Sequence, residues 1–222
     1  MRTLGIDDAG RGPVIGPMIL AGALLQKPVE DQLKKLGVAD SKTLTHPRRI
    51  ALAKLIKESA DAHHITITQP KDIDAALNGK INLNTLEAMK TADIINALNP
   101  EKEPLKVIVD CPSVNTQAWK KTLISFIKHP ENLDISCEHK ADANHVSVSA
   151  ASILAKVTRE EEVEKLKREY GEIGSGYPSD PYTQVFLKKN GKELRDKNLF
   201  RTSWATYKAL FPEAKQALLG SF

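Results

Sequence analysis

Only two cysteines occur among 222 residues, and a chain of this length can bury a sizeable core without stapling, so a disulfide framework is excluded. Cys111 and Cys137 fall in strand-like segments and read as buried thiols. A long apolar run is also missing. The longest, residues 14–25, has twelve positions interrupted by Gly16, Pro17 and Gly22, well short of the roughly 20 that span a bilayer. Met1-Arg2-Thr3 leads straight into a segment ending in Asp7 and Asp8, without the apolar region and cleavage site of a secretory signal, which predicts a cytoplasmic protein. There is no internal repeat and no low-complexity tract. Nor is there a large charge of one sign, since 32 basic and 28 acidic side chains leave a net charge of +4.

The distribution of that charge says more than its sum. Residues 1–172 carry 24 basic and 24 acidic side chains, whereas residues 173–222 carry eight and four, which is the whole excess. A neutral body followed by a basic tail suggests a polyanionic partner. Two parts are therefore expected: a catalytic body over 1–172 and a helical, basic extension over 173–222 that contributes to nucleic-acid binding.

What is present is an alternation of strands and helices. Residues 3–6 form a short apolar run that stops at carboxylates, and residues 14–25 follow after Gly10-Arg11-Gly12-Pro13, so a strand pair joined by a hairpin is predicted. Thr45 precedes a helix with Pro47 in its first turn, and residues 64–68 alternate as a third strand. Asn84 or Thr85 opens a strongly periodic helix through Leu98. Residues 105–109 are a fourth strand, 115–128 a helix burying Trp119 and Leu123, 133–138 a fifth strand, and 145–170 a long helix. Helices are expected at 183–190, 203–210 and 213–219. The fold class predicted is α/β, a mixed five-stranded sheet flanked by helices, with a small helical extension at the C-terminus.

The chemistry signal lies where carboxylates meet strand ends. Asp7 and Asp8 end the first strand, Asp110 ends the fourth, and Asp142 stands between the fifth strand and the long helix. Clustered carboxylates repel unless a cation neutralises them, so the pattern points to a divalent ion held by hard oxygen ligands, Mg²⁺ or Mn²⁺. Zinc is disfavoured because neither cysteine has a metal-type partner spacing. Taken one at a time, these aspartates could equally serve a turn and a helix cap. No Ser/His/Asp or Cys/His pattern offers a nucleophile.

Taken together, Gly5-Ile6-Asp7-Asp8-Ala9-Gly10-Arg11-Gly12-Pro13, Asp40-Ser41-Lys42, Val109-Asp110, His139-Lys140-Ala141-Asp142, the run 149–157 and Gly174-Ser175-Gly176-Tyr177-Pro178 resemble type 2 ribonuclease H, ribonuclease HII, in its archaeal single-chain form. The resemblance runs in order over nearly the whole chain. It implies a ribonuclease H-like body and an endonuclease that hydrolyses the RNA strand of RNA/DNA hybrids. It also implies nicking of duplex DNA 5′ of an embedded ribonucleotide, leaving 5′-phosphate and 3′-hydroxyl ends, as in ribonucleotide or RNA-primer removal. Asp7, Asp8, Asp110 and Asp142 would be the catalytic, metal-holding acids for two divalent ions, one activating the attacking water and one stabilising the leaving 3′-oxygen.

The resemblance also assigns nucleic-acid contacts. Gly10, Arg11 and Gly12 would read the 2′-hydroxyl at close approach, and Tyr177 would stack on the sugar of the next deoxynucleotide. Lys42 and Arg48 would line the groove, as would Ser149, Ser152 and Lys156. His145, near Asp142, is a candidate for assisting proton or product movement. The protein is expected to act as a monomer without a membrane; Leu218-Leu219-Gly220-Ser221-Phe222 is only a faint peptide signal for a sliding clamp. One position departs from the family, where glutamate normally follows the first aspartate and here Asp8 is one methylene shorter. Asp8 is expected to reach a metal through a backbone shift or a bridging water, with an altered preference between Mg²⁺ and Mn²⁺. The alternative reading is a non-catalytic or weakened hybrid-binding protein.

Overall fold

The computed structural model describes residues 2–38, 44–99, 101 and 103–212. Lys42, with its Asp40-Ser41-Lys42 motif, and the helix expected at 213–219 lie outside the described residues. Five strands form one mixed sheet: β1 (Arg2–Ala9), β2 (Met18–Gln26), β3 (Ala62–Thr68), β4 (Leu105–Asp110) and β5 (Leu133–Glu138), in the order β3-β2-β1-β4-β5. β1 to β3 pair antiparallel, while β4 runs parallel to both β1 and β5.

Period-two alternation along β1 decides which helices cover which face. Leu4 and Ile6 join Leu20, Val107 and Val109 under α3 (Pro70–Asn78), α4 (Leu83–Leu98) and α5 (Thr116–Ile124). On the other face Ile19, Ala21 and Ala23 pack on α1 (Lys27–Lys35), α2 (His46–Ser59) and α7 (Val146–Tyr170). Each fully buried Leu or Ile in these layers contributes about 1.5–3 kcal/mol relative to exposure. α7 crosses β1 at very close range: a Cβ at Gly5 would stand 2.1 Å from the backbone of Ser147. The small residues from Ser147 to Ser152 and the missing side chain at Gly5 together set that approach.

Several boundaries move relative to the sequence pattern. β1 does not stop before the carboxylates, since Asp7 pairs with Ala21 and Asp8 with Leu20. β2 begins at Met18 rather than 14, because Val14 and Ile15 pack instead with the C-terminal segment. Asn82, not Asn84 or Thr85, caps α4 by accepting from Thr85 N at 2.9 Å. Asn115 caps α5, which ends at Ile124 rather than 128. Thr45 occupies the N-cap of α2 but makes no side-chain cap bond. Helices α1 and α3 start after the N-cap residues Gln26 and Gln69, with Pro28 and Pro70 in their first turns. Between β5 and α7 a four-residue helix, α6 (Ala141–Asn144), follows Lys140, whose φ of 57° is left-handed.

The C-terminal part contains α8 (Pro181–Asn190) and α9 (Ala205–Leu210). Val14 and Ile15 share a third cluster with Val163, Ile173, Phe186, Leu199, Phe200 and Tyr207, and Ile15 forms a bridge with Phe200. Among the described residues no helix is long and apolar enough to cross a membrane. Cys111 is buried and Cys137 partly so, and burial pushes the Cys137 thiol up to about 12.

Candidate active site

Strand pleat and a short helix bring three acids together. Asp7 lies on the α7 face of β1, as Gly5 does, and Asp110 ends the neighbouring β4, on the same face as Ile108, which packs against Ala141 and Val148. The left-handed turn at Lys140 starts α6 so that Ala141 N donates to Asp110 Oδ1 at 3.0 Å and Asp142 follows it into the site. One carboxylate oxygen each from Asp7, Asp110 and Asp142 falls within 4.8 Å of the others. Asp7 and Asp142 are buried.

Such a cluster is electrostatically unbalanced by itself. Burial first, then the adjoining Asp8 and Asp110 carboxylates, push Asp7 up to about 8, although the Ser152 hydroxyl and the Asp8 amide, 2.8 Å from Asp7 Oδ1, pull the other way. Three convergent hard oxygens suit Mg²⁺ or Mn²⁺ and would be relieved of their mutual repulsion by either.

Asp8 stands outside the set of three. Alternation puts it on the α4 side of β1, with Leu4 and Ile6, and it is pushed up to about 6 by burial, with Arg11 opposing. On that side the sequence pattern missed a residue: Glu87 of α4, 1% exposed and pushed up to about 8 by burial and by Asp8. Arg11 joins the two, its Nε 3.0 Å from the Glu87 carboxylate and its Nη2 2.6 Å from Asn84 Oδ1.

An open groove of about 670 Å³ adjoins the acids. Asp8, Gly10 to Gly12, Lys156 and Tyr177 line it. A Cβ on Gly12 would meet the Tyr177 ring at 3.6 Å, so the exposed glycine and the half-exposed tyrosine face one space. Gly10, by contrast, is buried, with φ +79° and the Arg159 side chain 2.7 Å from where its Cβ would be. Its missing side chain therefore admits Arg159.

Three expected groove contacts lie elsewhere. Ser149 and Ser152 are 0% exposed, and Ser149 donates to the Val38 carbonyl. Arg48 points away and donates to Leu36 O at 2.9 Å. Its neighbour Arg49 lines the groove instead, and both Arg49 and His46 engage Glu160 of α7. Periodicity gives the reason: α2 buries Leu52, Ala53 and Ile56, which turns 46 and 49, one helical turn apart, toward α7. His145 is held by Glu138, Nε2 to Oε2 at 2.8 Å, at the end of β5.

The sequence model of a family described as "Ribonuclease HII" matches residues 4–207. The chain is 41% identical over 231 residues to Ribonuclease HII of Methanocaldococcus jannaschii, covering 99% of each. The structure of ribonuclease H2 from Pyrococcus horikoshii OT3 superposes with a TM-score of 0.85 at 38% identity, over 95% of this chain and 97% of that one. The ribonuclease of a PCNA:RNase HII complex from Archaeoglobus fulgidus gives 0.81 at 38% identity, over 92% and 95%.

Proposed function

The chain belongs to the ribonuclease HII family, endonucleases that hydrolyse the RNA strand of RNA/DNA hybrids, and from that premise we propose that it also nicks duplex DNA 5′ of a single embedded ribonucleotide, using two divalent ions. The observation that carries this reading is the convergence of Asp7, Asp110 and Asp142 beside a groove where Gly12 and Tyr177 share one space. Asp7, Asp110 and Asp142 would hold the ions, and Asp8, on the α4 side of β1, would contribute from outside that set. The ions, when bound, lower the pKa of the attacking water and offset charge on the leaving 3′-oxygen. The chain's own residues do the rest: the loop 10–12 approaches the 2′-hydroxyl, Tyr177 stacks on the following sugar, and Arg49 and Lys156 offer cations to phosphates.

Mapping the products tests this directly. Cleavage of a duplex with one ribonucleotide should give a single cut on its 5′ side, with 5′-phosphate and 3′-hydroxyl ends; a 2′,3′-cyclic phosphate would contradict it. Tyr177→Ala should slow single-ribonucleotide cleavage more than hybrid cleavage; equal losses would exclude the stacking role. Asp8→Glu should change the ratio of Mn²⁺-supported to Mg²⁺-supported rates, and an unchanged ratio would show that the shorter side chain is immaterial.

In this reading the protein acts in the cytoplasm as a single chain, which supplies every acid of the site. A hybrid-binding protein without activity is the less favoured alternative, because the three-acid cluster is intact. The Archaeoglobus fulgidus relative is described in complex with PCNA; the corresponding candidate here is Leu218–Phe222, which lies outside the described residues.

A further inference from the structure

Arg201 counts toward the basic excess of the tail, yet it is 0% exposed and offers no cation to solvent. Each of its three guanidinium nitrogens donates to one loop. Nη2 donates to Gly10 O at 2.6 Å, Nη1 to Arg11 O at 2.7 Å and Nε to Gly16 O at 3.0 Å. Its backbone N donates to Val14 O at 2.9 Å, and Leu199 O accepts from Gly16 N at 2.9 Å. Trp204 completes the clasp, with Nε1 donating to Gly12 O at 3.1 Å and its ring 4.8 Å beneath the Arg201 guanidinium. Arg159 of α7 donates to Ile15 O at 2.7 Å.

Peptide planarity turns this bonding into a statement about the groove. In a trans peptide the N–H points opposite to the C=O of the same unit. The carbonyls of Gly10 and Arg11 are drawn toward Arg201, so the amides of Arg11 and Gly12, which belong to the same two peptide units, are directed away from it. Lysine could not substitute for this, because its single ammonium lacks the rigid fork that meets three carbonyls in different directions. The fork stays charged: burial, and then the neighbouring Arg159, push Arg201 down, but only to about 9.

We propose that Arg201 and Trp204 are positioning residues for ribonucleotide recognition, clasping the carbonyl side of the Gly10-Arg11-Gly12 loop so that its Arg11 and Gly12 amides are held toward the 2′-oxygen of the substrate. The inference rests on the reading of that loop given above and names what fixes it. The ordering cost of a loop that would otherwise sample many conformations is met during folding rather than on binding. Discrimination between ribose and deoxyribose therefore depends on a buried arginine and a tryptophan that do not reach the sugar.

The test compares affinities for two short DNA duplexes, identical except that one contains a single ribonucleotide, measured by fluorescence anisotropy with Ca²⁺ present to prevent cleavage. Wild-type protein should prefer the ribonucleotide duplex. Trp204→Phe keeps an aromatic face for the guanidinium but removes the Nε1 donor together with the five-membered ring, and should reduce that preference about 3-fold. Arg201→Lys removes the fork and should reduce it about 10-fold or more. Affinity for the all-deoxy duplex should remain at the wild-type value in both. Should Arg201→Lys fail to fold, Trp204→Phe decides the matter alone. A preference that stays at the wild-type value, or affinities that fall together for both duplexes, would overturn the positioning role. A wild-type protein without preference would contradict the ribonucleotide-reading function itself and overturn both.

Discussion

Asp110→Asn should abolish cleavage of RNA/DNA hybrid while leaving the fold intact. The amide keeps the carboxamide oxygen that can accept from Ala141 N, so α6 retains its anchor to β4. What disappears is one negative charge from three oxygens within 4.8 Å of one another. Stabilisation by a metal is worth several kcal/mol in the transition state, so its weakening should lower the rate about 10³-fold or more. Stability should move the opposite way. In chelator the wild-type cluster carries uncompensated repulsion, and the variant's thermal midpoint should equal or exceed the wild-type value. Added Mn²⁺ should then raise the midpoint of the wild-type protein by linkage and leave that of the variant nearly unmoved. A variant that loses activity and thermal stability together would mean that Asp110 serves the fold and not the ion.

The second large effect is expected far from the acids. Asp74 of α3 is 9% exposed, and its two oxygens accept from the backbone N and the hydroxyl of both Thr202 and Ser203. Asn198 adds a cap at the same helix, its Oδ1 accepting from Lys71 N at 2.8 Å. These bonds fasten the segment that carries Arg201 and Trp204. Asp74→Ala leaves four donors without their acceptor in a largely closed place, which should cost about 3 kcal/mol in urea unfolding. Since Arg201 is anchored through that segment, ribonucleotide preference should fall as well, with Mn²⁺ binding unaffected. A loss under about 0.5 kcal/mol, the range of an ordinary surface substitution, would show that the four bonds are replaced by water.

Residue by residue, the sequence was informative where a periodic pattern or a family motif reported on a single element. The five strands, the long helix α7 and the three convergent aspartates were legible because apolar alternation and the placement of acids at strand ends are local signals. What stayed hidden depends on which face of a helix meets a distant segment. Glu87 falls in a helix whose apolar positions are easy to read, but nothing in their spacing shows that Arg11, seventy-six residues earlier, occupies the space in front of it. Arg48 and Arg49 are indistinguishable by composition, and only the packing of α2 on α7 selects Arg49 for the groove. Arg201 shows the same limit for charge: its contribution to the basic tail was countable, whereas its burial against loop carbonyls was not. Ser149 and Ser152 belong to a motif, and their burial in α7, with Ser149 bonded to the Val38 carbonyl, could not be read from it. The change of charge at residue 172 was legible, whereas the packing of Val14 and Ile15 with Leu199 and Phe200 was not.

The most direct measurement is Mn²⁺ binding followed by electron paramagnetic resonance on the wild-type protein and on Asp110→Asn, with hybrid cleavage recorded in the same titration. Bound Mn²⁺ and cleavage should rise together in the wild-type protein and be lost together in the variant. Cleavage that persists in excess chelator, or a variant that binds Mn²⁺ as tightly as the wild-type protein, would contradict a catalytic ion held by Asp7, Asp110 and Asp142.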